Sequence, residues 1–249
     1  MSRAEEKPHT EKAKTPIINV IGAKILGVIY GHPIRDMKMI VVAGDSGKVT
    51  TAHFIHKILG EANQRVAILA SEDGITLRTL HSFLSKAWKN GANYVIVTAD
   101  IDALKKNLFY DLPVYATVLT SFDPKDESEF EDYKSAINTV FCMNPEIAII
   151  NKDDLGYDTF ADFKGEDTTL TYGRDNFAQI KIERSALYKK GTEARLNLRG
   201  IHTTVASFVS GEPTISNMAA AAATAVALHI SEGAITAGIA DYDPDGITK

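Results

Sequence analysis

Residues 39–51 read MIVVAGDSGKVTT, and this stretch decides the fold. Five apolar, mostly β-branched residues describe a buried strand; Gly44, Asp45, Ser46 and Gly47 break it; Lys48, Val49, Thr50 and Thr51 open a helix. A glycine-rich turn between a strand and a helix aims backbone N–H groups and the positive end of the helix at one point, and a lysine there neutralises an anion. That is the geometry of a phosphate loop, although the same residues also suit a plain glycine turn followed by a solvated lysine. The strict pattern G-x-x-x-x-G-K-[ST] fails at both ends. Val42 stands at the first glycine, Val49 replaces the hydroxyl that would hold magnesium, and Asp45 places a carboxylate inside a loop meant for anions.

Outward from this loop, strand-like and helix-like runs alternate. Residues 66–70 (VAILA), 94–98 (YVIVT), 114–119 (VYATVL) and 146–150 (EIAII) read as further buried parallel strands. Helical patterns fill the gaps at 50–60, at 77–90 with Leu80, Phe83, Leu84, Ala87 and Trp88 on one face, near Ala103, and at 129–141. The fold class predicted is α/β, a doubly wound and mostly parallel sheet. After about Asp167 the grammar changes: 170–172, 178–188, 193–198 and 202–209 read as a small antiparallel meander. Two helices close the chain at 214–229 and 231–240, the second with Ser231 as its N-cap.

Residues 1–16 are polar and read as a tail rather than a signal peptide, while 17–36 form an amphipathic lead segment before a domain at 37–249. The apolar part, 17–30, is too short and interrupted to span a bilayer, for which about 20 apolar residues are needed. It suits packing on the domain better than interfacial membrane contact. The 249 residues carry 45% hydrophobic and 24% charged side chains and a net charge of -5, which argues against a general nucleic-acid binder. One cysteine, Cys142, excludes an internal disulfide and points to a cytoplasmic chain in which it is a buried apolar residue. His53 and His56, at i and i+3, have metal-binding spacing but lack a third ligand, so they read as a helix face.

Residues 30–48, YGHPIRDMKMIVVAGDSGK, resemble in order and spacing the entry to the ATP-binding central domain of the Mur ligases. Within that family they are most similar to the group adding an amino acid to a UDP-MurNAc-dipeptide. Residues 91–97, Thr120-Ser121, 133–141, Asn151-Lys152-Asp153-Asp154 and 211–217 continue the resemblance, which covers about 29–246. The family's N-terminal UDP-sugar domain and C-terminal amino-acid domain have no counterpart in these residues. The resemblance implies a nucleotide site made of Gly44, Asp45, Ser46, Gly47, Lys48, Val49, Thr50, Asn151, Asp154 and Asn217, with Lys48 on the outer phosphates and Asn217 on adenine. It implies ATP as the nucleotide and a UDP-MurNAc-peptide or a partner protein as the other ligand.

The departures bear on chemistry. Magnesium's threonine aligns with Val49, its glutamate with Thr98, the lysine that becomes carbamylated to hold a second metal with Ile137, and a phosphate-binding arginine with Ile247. Three neutral side chains give hard magnesium little to bind, and no metal site or catalytic residue is assigned. Asp100, Asp102 and Asp123 lie near strand ends where a metal site could be rebuilt. The expectation is a degenerate nucleotide-binding or regulatory relative, a pseudoenzyme, linked to peptidoglycan precursor synthesis. Its alternatives are an active ATP-dependent amide ligase whose missing domains come from a partner, and an interaction scaffold without nucleotide.

Overall fold

The computed structural model describes residues 33–71, 74–122, 127–141 and 143–244. The expectations for 1–16, 17–30, Cys142, Asp123 and Ile247 fall outside them. After a 3-10 turn at Pro33–Asp36, strand β1 (Lys38–Ala43) leads into helix α1 (Lys48–Glu61), and β2 (Val66–Leu69), α2 (Leu77–Lys89), β3 (Tyr94–Ala99) and α3 (Ile101–Lys105) follow. Then come β4 (Val114–Leu119), α4 (Glu127–Phe141), β5 (Ile147–Asn151), a single turn α5 (Tyr157–Phe160) and β6 (Thr168–Gly173). Strands β7 (Ile180–Tyr188), β8 (Gly191–Leu198) and β9 (Ile201–Ser207) precede the closing helices α6 (Glu212–Ala227) and α7 (Glu232–Ala240).

All nine strands join one sheet in the order β2-β3-β1-β4-β5-β6-β7-β8-β9. β1 runs parallel to β3 and to β4, and its alternating side chains feed two cores. Ile40 and Val42 pack on the side of α1, α6 and α7; Met39, Val41 and Ala43 pack on the side of α2, α3 and α4. Burial on both faces explains why these strands are continuous apolar runs. Ser231 caps α7 as the sequence predicts, accepting the Ala234 N–H at 3.4 Å.

Two expectations are corrected. Residues 170–172 belong to β6, which is parallel to β5 and to β7, so the antiparallel meander holds only β7, β8 and β9. The alternating polar residues that suggested a meander arise because Thr169 and Thr171 lie on half-buried positions of a strand late in the parallel sheet. Trp88 does not join the buried face of α2. It is 45% exposed, and its Nε1 donates to Asp36 Oδ2 at 3.1 Å, a polar tie to the chain entry that the indole can make only from the surface.

Candidate functional site

The site is built on the turn from β1 to α1. Gly44 has φ +146° and Gly47 φ +79°, both in the region that favours glycine. A Cβ on Gly44 would run into the Thr120 hydroxyl and, at 2.8 Å, the Ser121 carbonyl; one on Gly47 would strike the Asn217 side chain. The loop is therefore pressed between the segment after β4 and the first turns of α6. Gly47 is the N-cap of α1 and supplies no side-chain bond, which leaves the first N–H groups of that helix without intrahelical acceptors. Lys48 is 8% exposed, and its Nζ donates to the Asp45 carbonyl at 3.3 Å, across the mouth of the loop.

Thr120 and Ser121 fasten the loop from below. The Ser121 carbonyl accepts the Asp45 N–H at 3.0 Å and its hydroxyl accepts the Ser46 N–H at 3.0 Å; the Thr120 hydroxyl donates to the Ser46 carbonyl at 2.7 Å. Two N–H groups that a phosphate loop would offer a ligand are thus already bonded within the chain. On the open side, the Tyr133 hydroxyl donates to Asp45 Oδ1. Burial above all, reinforced by this bond to a carboxylate, pushes the Tyr133 phenol well above its ordinary value, so it stays a protonated donor.

Of the predicted nucleotide residues, the structure brings together Gly44, Asp45, Ser46, Gly47, Lys48, Val49, Thr50 and Asn217. Asn151 and Asp154 stand one strand away and brace the segment that carries Thr120 and Ser121. Asn151 Nδ2 donates to the Thr120 carbonyl at 2.8 Å; Asp154 Oδ2 accepts the Phe122 N–H at 2.7 Å and its Oδ1 the Gly156 N–H at 2.8 Å. They flank a mainly apolar pocket that Ile137 and Phe160 help to line, with a cavity volume of only about 10 Å³, far below the roughly 300–1,000 Å³ usual for a drug-sized ligand. The predicted site lacked Thr120, Ser121 and Tyr133. Their signal lay in the sequence, since all three lie in stretches that resemble family motifs.

The positions that the resemblance assigns to metal do not fit magnesium. Thr98 is buried, and its hydroxyl accepts the Ser71 N–H at 3.1 Å, which holds the end of β2 against β3. Ile137 is buried in the apolar core, and Val49 is half-buried with no oxygen to offer. Asp100 is the N-cap of α3, its Oδ1 accepting the Ala103 N–H at 2.6 Å, so it is engaged structurally rather than presented to a cation. Among the described residues no three His, Cys, Asp or Glu side chains converge. His53 stacks on Tyr242 with ring centroids 5.3 Å apart. Burial holds both His53 and His56 below the ordinary histidine value, with repulsion from Lys57 adding to each.

A mostly parallel sheet with a glycine loop after its first strand and an antiparallel extension at one edge defines a class, the central domain shared by Mur ligases and folylpolyglutamate synthases. A structure of a UDP-N-acetylmuramoyl-L-alanyl-D-glutamate–2,6-diaminopimelate ligase superimposes with a TM-score of 0.74 at 21% identity, covering 87% of this chain and 48% of that one. A Mycobacterium tuberculosis folylpolyglutamate synthase complexed with ADP gives 0.73 at 12% identity, covering 94% and 64%. The sequence profile of the Mur ligase middle domain matches residues 42–225, and the chain belongs to that family. The Bacillus licheniformis ligase of the first name is 25% identical over an alignment of 242 positions that covers 87% of this chain and 49% of the relative; its Lactiplantibacillus plantarum counterpart is 26% identical over 239 positions. The chain thus spans about half the length of these relatives and is a Mur ligase-like domain related to peptidoglycan precursor ligases.

Proposed function

We propose that residues 37–249 form a Mur ligase middle domain that binds the phosphates of a nucleotide without magnesium and does not transfer a phosphoryl group. One observation carries this reading: the loop keeps its glycines, its uncapped helix start and a buried Lys48, while Thr98 and Ile137 have turned to structural work. Phosphoryl transfer depends on charge placed where the transition state develops it, and loss of a single good donor costs roughly 100-fold to 1000-fold in rate. Val49, Thr98 and Ile137 remove the metal's anchors together. The folylpolyglutamate synthase of the same fold was solved with ADP, and this supports a nucleotide as the ligand. Asp45 weakens that binding, because its carboxylate lies where phosphate charge would collect.

Calorimetry with ATP and ADP, each with and without magnesium, tests the proposal. Weak binding that magnesium does not change, lost in Lys48→Ala, is expected, together with background phosphate release. Magnesium-dependent turnover with a UDP-MurNAc-peptide, abolished by Lys48→Ala, would establish an active ligase working with supplied domains. No binding of either nucleotide would leave an interaction scaffold.

A further inference from the structure

The hairpin formed by β7 and β8 ends in a turn beside the end of β9 and the start of α6. β7 pairs with β6 only at Tyr172–Ile180 and Gly173–Lys181, and then continues to Tyr188 with β8 as its sole registered neighbour. At about 3.3 Å per residue this carries the tip roughly 23 Å past that pairing. The tip is tied to its surroundings: Tyr188 pairs with Gly191, and the Ser210 hydroxyl accepts the Gly191 N–H at 2.7 Å. Around it Leu187 is 53%, Tyr188 58% and Phe208 68% exposed, and Lys189 and Lys190 form the turn between them. Leu187, Tyr188 and Phe208 are three of the seven large exposed hydrophobics among the described residues; Ile201 lies at the other end of the meander.

At the tip itself the charge comes from Lys189 and Lys190. From Arg174 to His202 there are seven Lys or Arg against three Asp or Glu, but Lys181 and Arg199 lie at the opposite end of the strands and Arg174 pairs with Glu212 at 2.7 Å. Asp175 accepts the Phe177 N–H at 2.7 Å, and the two acids on β7 and β8 are engaged or set back. Glu183 pairs with Arg195 at 3.3 Å and with His202 at 3.0 Å, and Glu193 lies on β8 opposite Ala186 and Ala206. Neither acid forms an ion pair with Lys189 or Lys190 among the described residues.

We propose that this tip docks on an anionic lipid surface. A leucine, a tyrosine and a phenylalanine flanked by two lysines have the chemistry of an interfacial anchor: the apolar side chains enter the headgroup boundary, and the ammonium groups meet lipid phosphates. The position agrees, because the apolar groups are exposed at the turn end of the strands, next to the two lysines. Three side chains also fall short of the roughly 800 Å² that each partner gives to a stable protein interface. The inference is independent of nucleotide binding and uses none of the loop residues.

Co-sedimentation of the full chain with vesicles tests it, comparing equal parts phosphatidylglycerol and phosphatidylcholine against phosphatidylcholine alone. Binding to the anionic vesicles, weakened by added salt, is expected. Lys189→Glu combined with Lys190→Glu should lower the affinity at least about tenfold, and Tyr188→Ser combined with Phe208→Ser should lower it comparably, each with the wild-type melting temperature. These positions are exposed, so both variants should fold. No binding to anionic vesicles overturns the proposal, and so does binding that both variants retain, which would place the contact elsewhere on the chain. A concentration-dependent dimer abolished by Tyr188→Ser would assign the tip to a second copy and also overturn it.

Discussion

The loop after β1 and the strand ends beside it differ in how far they match what the resemblance implies. At the loop the backbone is kept: Gly44 and Gly47 sit where a side chain would strike Thr120 or Asn217, and Lys48 is buried over the turn. At the end of β3 and on α4 the backbone is also in place, but the positions where the resemblance implies charge hold neutral side chains, with Thr98 bonded to Ser71 and Ile137 in the apolar core. Under the proposed function this contrast has a physical reason. The glycines serve the fold as well as a ligand, whereas a buried acid or lysine with no metal beside it costs stability and is readily replaced by an apolar or hydrogen-bonded residue.

The sharpest way to break this contrast is Ile137→Lys, which returns the residue type the resemblance expects. An unpaired charge in that pocket should cost about 3–5 kcal/mol, read from urea denaturation, with no gain in phosphate release. A stable variant that turns over ATP would show that the strand end is still poised for a metal. Next in size is Gly44→Ala, expected to lose about 2–3 kcal/mol because its Cβ meets the backbone of Ser121 and φ becomes strained; an unchanged midpoint would mean that the loop relaxes freely. Asp45→Thr with Val49→Thr acts on the ligand instead. Removing one charge near bound phosphate and adding a hydroxyl should improve nucleotide binding by about 1–3 kcal/mol, roughly 5-fold to 150-fold, and make it depend on magnesium. Calorimetry that finds the double variant no tighter than the wild type removes Asp45 as the obstacle.

The smallest effect is on pH. His53 and His56 are held below the ordinary 6.5 in the folded chain, chiefly by burial. The unfolded chain therefore takes up protons first on acidification, and stability present above about pH 6.5 is lost as the pH falls through the folded values. Glu183 lies below its ordinary 4.5 because His202 bonds to it, so its contribution is present above that value and fades only under more acid conditions. Replacing both histidines with glutamine should flatten the urea midpoint between about pH 7.5 and 5.5. A wild-type midpoint that rises on acidification in that window contradicts the assignment.

Legibility followed burial. Predicted strands at 94–98 and 114–119 correspond to Tyr94–Ala99 and Val114–Leu119, because a strand covered on both faces must be apolar throughout and shows as a solid run. β6 was misplaced since three residues of mixed polarity carry no information about direction, and only the partner strand sets it. In the site, Gly44, Gly47 and Lys48 could be read from local grammar alone. That Asn217 presses on Gly47 depends on α6 returning across the sheet from a distant part of the sequence, and that Asn151 and Asp154 brace the Thr120 segment depends on strand order. The Tyr133 contact with Asp45 is likewise tertiary, joining residues 88 positions apart.

The narrow pairing of β6 with β7 has a consequence for how the molecule comes apart. Two register positions join the parallel sheet to the hairpin, whereas β7 and β8 are zipped along most of their length and α6 lies across β6, β7 and β8. Opening at that seam therefore exposes little backbone so long as α6 stays seated, and the helix acts as the clasp of the two halves. The hairpin is set to breathe as a cooperative unit, its amides exchanging with solvent together, while those of β1, β3 and β4 wait for global unfolding.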